Sequence, residues 1–132
     1  MQHPNHRLRA FTLIEITLVL AILMGLAAIG GITANQYWHY RDARDAGDSL
    51  RAVKNAVRLY LADHPLEQIS TLTQAEILPY MPNGVWPTLP KTVDGSAVPT
   101  ISFNVFPPTA VVGGTNYDPT AATNDGLWDS GK

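Results

Sequence analysis

The sequence predicts an α+β chain in which one long N-terminal helix packs on a small C-terminal antiparallel sheet with loops. Three observations predict it. An uninterrupted apolar run occupies the first quarter, and a second, amphipathic run at helical spacing follows without an intervening proline. After Pro65 the composition then shifts to proline- and glycine-punctuated short segments. At 132 residues the chain holds one small domain plus an appendage rather than two full cores. It has no cysteine, which removes disulfide frameworks and thiolate metal sites from consideration.

The apolar run comes first. From Ile16 to Ala34 there is no charged side chain, 19 residues against the roughly 20 that cross a bilayer as a helix. Arg7 and Arg9 precede it with no acid among residues 1–10, a flank that keeps the N-terminus cytoplasmic. Tyr37, Trp38 and Tyr40 follow, and such rings favour the membrane interface. The reading divides the chain into a leader (1–10), a transmembrane or filament-core helix (11–34), an amphipathic helix (35–64) and a loop-rich β head (65–132). A secretory signal cut near Ala28-Ile29-Gly30 is the competing reading. Against it stand the helical pattern that continues past the run and Glu15, an acid that a plain signal does not need.

In the second run Leu50, Val53, Val57 and Leu61, with Ala46 and Tyr60, recur at helical spacing, while Arg44, Asp48, Arg51, Lys54 and Arg58 fall largely elsewhere. Gly47 is the single weak point in the pattern, and Pro65 ends it. A helix from about Phe11 to Asp63 is on the order of 80 Å long at 1.5 Å per residue, too long for a head of this size to enclose. Its first half therefore needs lipid or copies of itself as a solvent.

Glu15 raises the question of a partner. A carboxylate in hydrocarbon costs on the order of 3 kcal/mol even by lenient estimates, and it persists where a cation answers it. Cleavage after Ala10 creates such a cation, the α-amine of Phe11. In a neighbouring copy shifted by four residues, about 6 Å, this amine aligns with Glu15. Ala21, Gly25 and Ala28 form a small-residue face, read either as a close-packing surface or as ordinary membrane-helix composition.

The stretch "RAFTLIEITLVLAILMGLAAIGG" resembles the N-terminal processing and methylation segment of type IV pilins and the pseudopilins of type II secretion systems. The likeness covers residues 7–34 closely and the amphipathic helix in general pattern. It implies cleavage by a prepilin peptidase between Ala10 and Phe11 and methylation of the new Phe11 amine. It further implies neutralisation of that amine by Glu15 of an adjacent subunit. The partners it implies are other pilin-like subunits in a homo- or hetero-oligomeric filament, an inner-membrane assembly platform and membrane lipid. The sequence departs from the family at Ala10, where glycine is usual, and in lacking the proline that commonly interrupts the apolar helix.

In the head, "LTQAEILPYMP" offers a short helix capped by Thr73 with Glu76 three residues on. "TISFNVF" alternates Ile101, Phe103 and Val105 against polar neighbours, a half-buried strand. "TAVVGGTNYD" reads as two short strands about Gly113-Gly114, and Asp94-Gly95 as a turn. His39 and His64 stand a helix length apart, so no catalytic cluster follows and no enzyme is expected; Asp63-His64 reads as solvated polar punctuation at the helix end. Asp118, Asp125 and Asp129 are hard oxygen donors of the kind calcium uses, and major pseudopilins hold calcium in a loop near the C-terminus. No cofactor is required by the reading, and calcium is the one candidate. The alternatives are a minor, tip or DNA-uptake subunit acting as a binding module, and a membrane-anchored enzyme. After Pro65 six acids face two bases, a balance of −4, so nucleic acid is not an expected partner.

Overall fold

The computed structural model describes residues 12–120 and 122–131. The expected α+β layout is present: a long N-terminal helix, then a small three-stranded antiparallel sheet against which it packs. Helix α1 runs Leu13–Asp63, a short α2 Gln74–Ile77, and the strands are β1 Thr100–Ser102, β2 Thr109–Val112 and β3 Thr115–Asn116. Three 3-10 turns, Ile69–Thr71, Leu78–Tyr80 and Pro82–Gly84, carry the chain between the helices and the sheet. Compactness divides the chain at Gln36/Tyr37 into two units.

In the first unit every large apolar side chain from Leu13 to Ile32 is at least half exposed, so none of the described residues covers this stretch. It is long and apolar enough to cross a membrane.

The second unit is the head. Its part of α1 buries Ala43, Ala46, Gly47, Leu50, Val53, Ala56, Val57 and Tyr60, a stripe at helical spacing that matches the predicted one with small residues added. Leu61, predicted as core, is half-buried and sits at the margin. Two clusters share the stripe. A proximal one joins Ala43, Ala46 and Leu50 to Leu89, Ala110 and Trp128. A distal one joins Val53, Ala56, Val57 and Tyr60 to Leu72, Ile77 and Met81.

The sheet has the order β1-β2-β3, with Ile101 opposite Ala110 and Val112 opposite Thr115. The β2–β3 hairpin turns at Gly113 and Gly114, both at positive φ (58° and 88°), which a tight primed turn requires. The predicted "TISFNVF" strand stops early, at Ser102. Instead of alternating onward, Asn104 turns its amide to the carbonyls of Ser70 and Leu72, 3.1 Å from each, and Val105 is left half exposed. The end of α1 also differs from the expected solvated punctuation. Asp63 accepts the Tyr80 hydroxyl at 2.8 Å, which fastens the helix end to the next segment, and the His64 ring folds back on Tyr60 of the last turn at 4.3 Å.

Candidate functional site

The most unusual chemistry is at the start of α1. Thr12 stands just before the helix and Glu15 in its first turn, the spacing of a capping box. Glu15 Oε2 accepts from the Thr12 backbone N–H at 2.8 Å and from the Thr12 hydroxyl at 3.0 Å. The Glu15 N–H in turn meets the Thr12 hydroxyl oxygen at 3.4 Å. The carboxylate thus satisfies donors that a helix start leaves orphaned, and its negative charge complements the positive end of the helix dipole. Among the described residues Oε1 accepts no hydrogen bond. Glu15 opens onto a wholly apolar groove of about 260 Å³ with Ile16, Val19 and Leu20.

The sequence reading named Glu15 as an acid seeking a cation and missed its local role. The signal was there in "TLIE", a threonine three residues before a glutamate at the head of an apolar run. Ala10 and Phe11, the processing pair, lie outside the described residues. The small-residue face of Ala21, Gly25 and Ala28 is exposed, and a Cβ placed on Gly25 meets nothing within 4 Å. The fold of a single chain therefore does not require glycine there.

Asp118, Asp125 and Asp129 occupy the C-terminal loops without converging on one point. Asp118 closes a turn, accepting from Thr120 N at 3.0 Å and Thr120 Oγ1 at 2.6 Å. Asp125 accepts from Leu127 N at 2.8 Å. Asp129 is the hub of its loop, with Oδ1 taking Gly126 N at 2.9 Å and Gly131 N at 2.7 Å while Oδ2 takes Asn124 N. Among the described residues no three His, Asp or Glu side chains gather as a metal-holding group.

The loop that Asp129 organises is pinned to α1. Trp128 N donates to Ala43 O at 2.9 Å, Lys54 Nζ to Gly131 O at 3.1 Å, and Trp128 fills the proximal cluster edge-on to Tyr117. His39 and His64 stay apart as expected. Around His64 the Tyr60 phenol is 5 % exposed and donates to Glu67 at 2.9 Å; burial first, then that carboxylate, push its pKa up to about 12. A phenol held this firmly in its neutral form is suited to holding the helix end rather than to proton transfer near neutral pH. No family model, curated protein or solved structure matches the chain.

Proposed function

We propose that the chain is a structural subunit of a helical filament, a pilin or pseudopilin of a type IV pilus or type II secretion system. In this reading a prepilin peptidase removes residues 1–10 and methylates Phe11. The subunit waits in the bacterial inner membrane with its N-terminus cytoplasmic and its head periplasmic, and assembles through its apolar helix with other copies or with related subunits.

The observation that carries the reading is Glu15: a carboxylate, half satisfied by Thr12, at the start of a span whose apolar side chains are all exposed. A plain anchor needs only apolar side chains facing lipid. A carboxylate with one oxygen that takes no hydrogen bond among the described residues, in a groove of hydrocarbon, is a costly feature that a neighbouring copy's cationic amine turns into a specific contact. The head supports a structural role as well, since buried Thr92 closes its turn on Ala97 and Asp129 gathers the backbone of its own loop.

The test is mass spectrometry of the mature N-terminus, on protein from a host with its own prepilin peptidase. The expected product begins at Phe11 with one added methyl group. In a Glu15→Ala variant the same product is expected to form while copy-to-copy cross-linking through the span is lost. A chain beginning near Gly30, or still at Met1, would falsify the reading.

A further inference from the structure

The head presents a groove at its distal end that none of the described residues fills. Arg58, Leu61, Ala62, Ile69 and Phe106 line a space of about 560 Å³ beside the distal cluster, with Phe106 half exposed. Arg58 is the one charged residue of an otherwise apolar lining. Among the described residues the ion pairs are Arg41–Asp45 and Arg51–Asp48, and Arg58 joins neither. This combination selects an apolar side chain carrying a carboxylate next to it.

The head itself offers such a pair at its other end. The turn Thr92–Ala97 projects Val93, 45 % exposed, beside Asp94. It is held rigidly: Thr92 N bonds Ala97 O at 2.9 Å, and Val93 N donates to the Tyr117 hydroxyl at 2.8 Å. Tyr117 belongs to the proximal cluster around Ala43, Ala46 and Leu50, whereas the groove begins at Arg58. From Ala46 to Leu61 is on the order of 20 Å along a helix, so a chain does not fill its own groove with its own turn.

We propose that the Val93-Asp94 turn of one copy docks in the Arg58/Phe106 groove of a second copy of this chain. Charge complementarity commits the site to that occupant, since the segment after Pro65 carries six acids against two bases while the groove carries Arg58. Asp94 suits the role: its carboxyl is held down to about 2, first by the Thr92 hydroxyl and then by Ser96, so it stays ionised and fixed in direction. A proximal knob in a distal hole is a heterologous contact, and repeated it yields an open helical array rather than a closed dimer. The inference rests on the filament reading and specifies the head-to-head contact within it.

The chain has no cysteine, so introduced pairs report cleanly. Full-length protein carrying Val93→Cys and Ala62→Cys is oxidised in membranes of a host with the assembly machinery. A second pair, Ile14→Cys with Leu18→Cys, reports the four-residue stagger of the span. A ladder of covalent multimers from the head pair, reduced several-fold by Arg58→Glu and kept by Arg58→Lys, supports the proposal. A span ladder without a head ladder overturns the docking and leaves the filament reading standing. Neither ladder overturns both, and a head ladder indifferent to Arg58→Glu overturns the charge-directed contact.

Discussion

Gly47 shows how much one missing methyl group can settle. A Cβ built there would run into the carbonyl of Gly126 and stand 3.0 Å from the Asp129 carbonyl oxygen, with both atoms in backbone that Asp129 and Trp128 hold in place. Gly47→Ala removes a helix-weakening glycine, a gain of about 1 kcal/mol, but forces the C-terminal loop off the helix at a cost of about 1–3 kcal/mol or more. Net destabilisation is the expected outcome, read as a lower melting temperature of the full chain in detergent. Gly25→Ala is the control, because open space surrounds it and its melting temperature is expected to hold or rise slightly, never to fall. From the sequence Gly47 looked like a mere weak point in a helical pattern; the loop that requires it is about 80 residues away, and no local spacing points to such a contact. Glu15 is the opposite case. Its presence at the head of the apolar run was legible, and so was Thr12 three residues earlier, yet Glu15 was read for its place in an assembly and not for its local capping geometry.

At the scale of elements, short-range chemistry was the legible part. Thr73 and Glu76 form the capping box their spacing predicts, with the Glu76 carboxylate accepting the Thr73 N–H and hydroxyl, both at 2.8 Å. The Gly113-Gly114 hairpin and the Asp94-Gly95 turn also stand where the glycines put them. What failed was the extent of β1, because alternation at Phe103 and Val105 says nothing about an asparagine amide finding two carbonyls more than 30 residues upstream. The turn at Asp94 carries a pH signature. Its carboxyl sits at about 2 in the fold against an ordinary 3.8, so the stability it lends is complete above about pH 4 and is lost as pH falls through about 2. The melting temperature of Asp94→Asn is therefore expected below that of the parent near neutral pH, with the gap closing between about pH 4 and pH 2. A gap independent of pH would mean that the carboxylate's charge contributes nothing to the turn.

For the molecule as a whole, the question is what closes the C-terminal region of a small head that has no disulfide. A head of about 95 residues buries a modest fraction of its surface and depends on every tie between its ends. Here the last residues return to α1: Trp128 enters the proximal cluster, Lys54 holds Gly131 O, and Asp129 gathers three backbone N–H groups. Asp129 already accepts three N–H groups, which leaves about one lone-pair site on Oδ2, whereas calcium asks for six to eight oxygens. Asp118 and Asp125 are each committed to turns of their own. The loop is thus closed by hydrogen bonds to a charged acceptor, each worth about 1.5–3 kcal/mol where it is sheltered. For a chain beginning at Asn35, cooperative melting is expected, with the same midpoint in millimolar calcium and in chelator, because no binding energy then adds to the folded state. Asp129→Asn, which keeps the shape but loses the charge that serves three donors, is expected to lower that midpoint by several degrees. A calcium-dependent rise in the parent that Asp129→Asn abolishes would reverse the assignment and make Asp129 a ligand that rearranges on binding.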